Sequence, residues 1–148
     1  MQDVLAHAET LGQFRARSEV EARCTLGLAQ AALGRNDEAD ATLSAAVAAL
    51  PVDHVDPLLL PVVASRAQWL HAHDQGPAAQ ALLADWITRA AHELAPSHYA
   101  LGLLHLTLAE MQSPADARPH AEGARTAFAE LPDDHPWRRR LAALDASR

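Results

Sequence analysis

Leu50-Pro51-Val52-Asp53-His54 ends one Ala-rich helical stretch and precedes another, and versions of it return as Leu94-Ala95-Pro96-Ser97-His98 and Leu131-Pro132-Asp133-Asp134-His135. The histidines of the three copies lie 44 and then 37 residues apart. Corners that recur at a near-constant period are typical of stacked helix pairs. The sequence therefore predicts a helical solenoid, an architecture that mostly presents binding surfaces.

The composition points to an all-α protein of one domain. The chain has 148 residues, of which 49% are hydrophobic but only 4% aromatic, so Ala and Leu must form most of the core. Both are strong helix formers, whereas the β-branched residues that favour strands are sparse. A chain of this length fits a single domain over residues 1–148.

The charge pattern argues against nucleic acid as a partner. The formal net charge is −7, and all basic residues are Arg, since the chain has no Lys. A phosphate-binding face needs clustered basic residues, and the only basic run, Arg138-Arg139-Arg140, is typical of a solvated helix face. The Ala-rich, Lys-free composition suggests a GC-rich bacterial gene.

Cellular location is predicted from the single cysteine and the N-terminal segment. Cys24 is alone, which excludes an internal disulfide and fits a reducing compartment. The first residues lack the basic start and apolar run of a signal peptide, and no apolar stretch approaches the roughly 18 residues of a membrane span. We therefore expect a soluble, cytoplasmic chain without a membrane partner.

Capping and turn signals predict eight helices. Ser18 and Glu21 form a capping box, Gly34 ends that helix, and Asp56-Pro57 reads as a helix start that Pro61 bends or delays. A break is predicted around residues 12–17. The predicted helices cover about 3–10, 18–34, 37–50, 57–74, 76–93, 97–111, 113–131 and 136–146.

The first full helix pair resembles a tetratricopeptide repeat. The family has small residues and Leu-Gly in helix A, Gly at the turn, a small–bulky–small pattern in helix B and then Pro, spaced over 34 residues. Arg23 stands where Trp is common and Gln30 where Tyr is common. The matching positions are Ala22, Leu26, Gly27, Gly34, Ala39, Leu43, Ala46 and Pro51.

The resemblance implies a right-handed α-α superhelix of about three helix pairs plus end helices. The repeats would cover residues 18–53, 56–96 and 97–132, with end helices 3–10 and 136–146. The longer period and repeated corner resemble kinesin-light-chain-like repeats of bacterial signalling proteins, while HEAT repeats have a similar period. The helix over 3–10 would be either a cap or the remainder of an earlier repeat.

The resemblance also implies which residues line a concave binding groove. Only Arg66 is basic among them, so a two-point clamp on a carboxylate is disfavoured and an apolar or amphipathic helix fits better. Arg66 and Tyr99 are the best anchors; core packing between A helices is the alternative role. The groove candidates are Glu21, Cys24, Leu28, Arg66, Leu70, His73, Tyr99 and Leu103, with Ala31 and Leu106 at equivalent positions.

The residues give little sign of metal or catalytic chemistry. His71 and His73 point about 200° apart on a helix and cannot readily share an ion, and no Cys pair supports zinc. The corner histidines are expected to bond backbone groups or to pack on a neighbouring corner. Cys24 lies in mid-helix, where a buried, inert thiol is the usual case. We expect no enzyme activity, no cofactor and no metal.

The function expected from the sequence is a protein-interaction scaffold. It would bind a peptide or helix along the concave face, as part of a bacterial signalling or regulatory protein. The alternative is a structural or self-associating repeat segment without its own ligand, which leaves a homo-oligomer open.

Overall fold

The computed structural model describes the backbone of residues 2–147 and the side chains of residues 10–147. This part of the chain is all-helical and has no strand, as the sequence predicts. Its Cα positions form two compact units, the first ending at Leu50 and the second beginning at Pro51. The single domain over residues 1–148 stays a prediction. The helices are α1 (Gln2–Ala32), α2 (Asn36–Ala48), α3 (Leu60–Ala72), α4 (Gly76–Glu93), α5 (Tyr99–Glu110), α6 (Pro114–Ala127) and α7 (Pro136–Ala146).

The first unit is a hairpin of α1 and α2, which pack along apolar faces. Ala39, Leu43 and Ala46 of α2 are fully buried. They recur at spacings of four and three residues, which places them on one helix face. Gly27 of α1 lies so close to this face that an added Cβ would sit 2.7 Å from Leu43 Cγ. The small residue therefore sets the distance between the two helices.

A glycine also makes the corner between α1 and α2. Gly34 has a φ of 73°, in the left-handed region that favours glycine. The Arg35 N–H donates to the Gln30 carbonyl at 2.9 Å, and the Gly34 N–H donates to the Ala31 carbonyl at 3.0 Å. This is the Schellman pattern, which satisfies carbonyls at a helix end. The predicted end of the helix at Gly34 is thus confirmed.

The predicted break at residues 12–17 and the separate end helix over 3–10 are wrong. Residues 2–32 form one continuous helix. The segment is rich in Ala, Leu, Glu, Gln and Arg, which favour the helix, and it contains no Pro. Gly12 costs only about 1 kcal/mol relative to Ala in a helix interior, which its neighbours offset.

The second unit surrounds α5 with the other helices of that unit. α5 contacts α3, α4, α6 and α7, and residues 100–104 and 106–109 are buried. A helix that is apolar all round is expected at the centre of a core. Gly102 allows α6 to approach closely, because an added Cβ would lie 2.4 Å from Ala127 Cβ and 2.7 Å from Phe128 Cε1.

Proline and serine signals account for most helix starts in this unit. Pro77, Pro114 and Pro136 lie in the first turns of α4, α6 and α7, where a missing N–H costs nothing. The Ser113 side chain caps α6. α3 begins at Leu60 rather than at Pro57, with Pro61 in its first turn. The delayed start expected from Pro61 is therefore confirmed, and the predicted start at Asp56-Pro57 is wrong.

Candidate functional site

The groove residues predicted on α1 divide between the surface and the core. Glu21 and Leu28 are exposed, whereas Cys24 is buried. Glu19 forms an ion pair with Arg23 at 2.7 Å. Glu21 presents a carboxylate on the surface of α1, on the same face as the exposed Leu28.

On α3, the predicted residues surround a buried tryptophan. The Arg66 guanidinium lies 4.9 Å from the centroid of the Trp69 ring. The His73 ring stacks on Trp69 with centroids 4.1 Å apart, and its Nδ1 donates to the Trp69 carbonyl at 2.8 Å. Arg66 and His73 are half-buried and Leu70 is buried. The accessible part of this face of α3 therefore consists of the Arg66 and His73 side chains, which pack on the Trp69 ring.

On α5, only the first predicted residue is exposed. Tyr99 stacks on His98 and on Trp137 of α7, with ring centroids 4.8 and 5.8 Å apart. Leu103 is buried, as is Leu106. These two leucines pack inside the second unit, so a peptide bound to this structure would reach Tyr99 but not them.

An exposed apolar face of α1 was missed by the sequence reasoning. Phe14 is 62% exposed and Leu28 is 43% exposed. They stand fourteen residues apart with Glu21 midway, and positions seven residues apart lie within about 20° of one another on a helix. Leu11, three residues before Phe14, is also exposed. The signal was in the sequence, but the predicted break interrupted the periodic pattern.

The corner histidines act mainly on the backbone. His98 Nδ1 accepts from the Ala100 N–H at 3.2 Å, and His135 Nδ1 accepts from the Trp137 N–H at 3.3 Å. Each imidazole therefore caps the start of a helix, which confirms the structural role expected for these two. His54 differs, because it is exposed and its Nδ1 lies 2.9 Å from the Asp53 carboxylate.

A pair of histidines joins α5 to α6. His105 Nδ1 lies 3.0 Å from His120 Nδ1. Burial, followed by the charge of His120, lowers the pKa of His105 to about 4, and burial also lowers the pKa of His120. His105 borders a partly open cavity of about 250 Å³ whose walls are otherwise mostly aliphatic. The cavity is lined by Ala91, Leu94, Pro96, Leu101, His105, Gly123 and Thr126.

Within the part of the chain that the structure describes, no group of three or more His, Cys, Asp or Glu side chains is placed to hold a metal ion. None of the helices described is long and apolar enough to cross a membrane. The Cys24 thiol lies in the middle of α1 rather than at a helix N-terminus, where a reactive thiolate would be favoured. The candidate sites are therefore the exposed aromatic, aliphatic and charged side chains on the helix surfaces.

Comparison of the chain with protein-family models, with curated proteins and with solved structures found no match in any of the three.

Proposed function

We propose that this chain is a protein-interaction module that binds a helix or helical peptide of a partner protein. Its helix pairs are tetratricopeptide-like repeats of a right-handed superhelix, and it serves as the binding part of a bacterial signalling or regulatory protein in the cytoplasm. The residue pattern of the first repeat supports this assignment, as do the close helix contacts at Gly27 and Gly102.

The observation that carries the proposal is the exposed face of α1 formed by Phe14, Glu21 and Leu28. Large exposed apolar side chains that are spaced along one helix face are the kind of anchor that helix-in-groove recognition uses. At a rise of 1.5 Å per residue, Phe14 and Leu28 are about 21 Å apart along the helix axis. This length matches about four turns of a docked helix.

The charges on this face indicate what kind of helix it binds. The exposed Glu21 carboxylate lies between the two apolar side chains. A helix carrying apolar residues seven positions on either side of an Arg or Lys would bury the apolar groups and pair the carboxylate. Helix-in-groove recognition uses such spaced anchors, and the surplus negative charge of the chain favours a basic partner.

The packing of the second unit supports the repeat assignment. α5 contacts both α3 and α7, and each of α4 and α6 contacts α5. Stacked helix pairs produce this pattern, since each A helix meets its own B helix and the neighbouring A helices. Arg66 and Tyr99 are accessible side chains on two of these A helices, and each is a candidate anchor within the second unit taken by itself.

The test compares partner capture by three forms of the tag-free chain. Phe14→Glu with Leu28→Glu places charges on the proposed face. The matched control is Leu26→Glu with Leu33→Glu, which changes leucines that are 53% and 72% exposed. Leu26 lies on a different side of α1, and Leu33 follows the last residue of that helix. Far-UV circular dichroism would establish that all three forms fold.

Partners would be recovered from a lysate of the source organism and identified by mass spectrometry. We expect proteins that bind the native chain and the control variant but not the Phe14/Leu28 variant. Equal recovery by all three forms would contradict the assignment to this face.

Self-association is the second candidate function, and the same exposed apolar side chains favour it. Sedimentation equilibrium of the native chain over a hundredfold concentration range distinguishes the two. A mass that rises with concentration and stays monomeric in the Phe14/Leu28 variant would favour a self-associating segment. A constant monomer mass would favour binding of another protein.

A further inference from the structure

The second unit contains a partly open cavity where the end of α4 meets α5 and α6. Its volume is about 250 Å³. Ala91 in the last turn of α4 lines it, as do Leu94 and Pro96 of the connection to α5, and the remaining lining residues belong to α5 and α6. All of them lie in the second unit, so the cavity is built from different residues than the exposed face of α1.

The chemistry of the walls favours a neutral, mostly apolar ligand. Among the described lining residues, His105 and Thr126 have the only polar side chains, and no carboxylate or guanidinium is present. Burial lowers the pKa of His105 to about 4, so this imidazole is neutral at pH 7. An ionised ligand would therefore lose its hydration here without meeting an opposite charge.

His105 supplies the cavity with one positioned polar atom. Its Nδ1 is engaged 3.0 Å from His120 Nδ1, which leaves Nε2 for a ligand. A Cβ added at Gly123 would lie 3.0 Å from this Nε2, so the atom stands beside another lining residue. The Thr126 hydroxyl already donates to the Glu122 carbonyl at 3.1 Å. Depending on which histidine donates between the Nδ1 atoms, Nε2 accepts or donates, and a ligand hydroxyl can match either state.

The volume of the cavity sets the size of the ligand. An apolar cavity of about 150 Å³ takes benzene, so a cavity of about 250 Å³ filled to the same degree takes about ten heavy atoms. We propose that this cavity binds a small neutral ring compound with one hydroxyl group, of the size of a bicyclic phenol. The hydroxyl bonds to His105 Nε2, and the rings pack against Leu94 and Leu101. Because the cavity is partly open, the ligand enters without unfolding of the unit.

The test is titration of the isotope-labelled, tag-free native chain with 5-indanol, a bicyclic phenol, followed by amide chemical shifts in NMR spectra. We expect saturable shifts confined to residues 91–96, 101–105 and 123–126, with a dissociation constant of about 1 mM or below. Shifts that do not saturate, or that spread over the surface of both units, would overturn the proposal.

Two analogues of the probe test the chemistry of the site. Indane has the same rings without the hydroxyl, and we expect it to bind roughly 2–10-fold more weakly, the factor for the loss of one net hydrogen bond. Indane-5-carboxylate carries a charge, and we expect it to leave the shifts unchanged over the same concentrations. Equal binding of indane and 5-indanol would contradict the bond to His105, and tighter binding of the carboxylate would contradict the neutral class.

A pair of variants on α4 tests the location. Ala91→Phe places a phenyl ring in the cavity, and Ala91 is exposed, so the change leaves the core intact. The matched control is Ala84→Phe, the same change at an exposed position two turns earlier that does not line the cavity. We expect Ala91→Phe to weaken binding of 5-indanol by about tenfold or more, because the added ring occupies the volume of the ligand, and Ala84→Phe to leave it unchanged. Equal affinity in the native and Ala91→Phe chains would overturn the assignment to this cavity.

Discussion

Single glycines set the spacing of the helix pairs at two places. Gly27 faces Leu43, and Gly102 faces Ala127 and Phe128, at distances that leave no room for a methyl group. Protein interiors are packed densely enough that one added carbon forces neighbours to move. These residues therefore determine how closely each helix can lie against its partner.

Gly102→Ala should destabilise the chain. Overpacking of this kind costs about 1–3 kcal/mol, and the better helix propensity of Ala, about 1 kcal/mol, offsets part of it. We expect a net loss of up to about 2 kcal/mol in the free energy of unfolding, measured by urea denaturation. Gly12→Ala is the control: Gly12 has no heavy atom within 4 Å of an added Cβ, so we expect it to stabilise by about 0.5–1 kcal/mol. Equal effects at the two sites would contradict the packing argument.

Acidification should destabilise the second unit through its histidine pair. The pKa of His105 falls from 6.5 to about 4 on folding, so between these values the unfolded chain binds protons that the folded chain does not. The free energy of unfolding therefore decreases as the pH falls through this range. We expect the urea midpoint to drop less between pH 7 and pH 4.5 in His105→Gln than in the native chain. His92→Gln should follow the native chain; identical pH profiles for all three would contradict the assignment.

At the scale of the helices, the sequence predicts where a helix begins or ends better than it predicts whether a helix continues without a break. Some helix boundaries follow from local chemistry, because the residue beside them fixes the backbone conformation or supplies a cap; these residues are Gly34, Pro77, Ser113 and Pro136. Gly12 does not fix a backbone conformation. It only lowers the helix propensity, so the surrounding residues decide whether the helix continues through it. For the same reason, the exposed face of α1 that runs through Phe14 was not predicted.

The candidate sites show the same division between local and tertiary causes. The imidazoles of His98 and His135 accept from the backbone N–H two residues ahead, an interaction within reach of sequence reasoning. The His105–His120 pair depends on how α5 packs against α6, and nothing local to His120 signals it. The burial of Leu70 and Leu103 likewise follows from neighbouring helices of the second unit, whereas their spacing alone also fits an exposed groove.

For the whole molecule, the division at Leu50 and Pro51 separates two unequal cores. The second unit has a central helix, α5, with four neighbours, and includes a packed cluster around Phe128 and Leu141. The first is a hairpin whose core is one face of each helix. Units of about 50 residues bury a smaller share of their surface and are correspondingly marginal.

The fragment 51–148 should therefore fold alone, whereas the fragment 1–50 should be only partly helical. We expect 51–148 to show helical circular dichroism and a cooperative urea transition. The fragment 1–50 should lose its ellipticity gradually, without a sigmoidal transition. A broad, non-cooperative transition in 51–148 would show that its core is insufficient for independent folding. A sharp transition in 1–50 would contradict the expectation that a unit of this size is only marginally stable.

The tryptophans and the cysteine give each unit its own optical probe. Trp69, Trp86 and Trp137 all lie in the second unit, so intrinsic fluorescence reports on that unit and is blind to the first. The one thiol, Cys24, is buried in the first unit, and its rate of reaction with a chromogenic disulfide reports on the opening of the α1–α2 hairpin. The native sequence can thus be followed at two wavelengths, one for each unit.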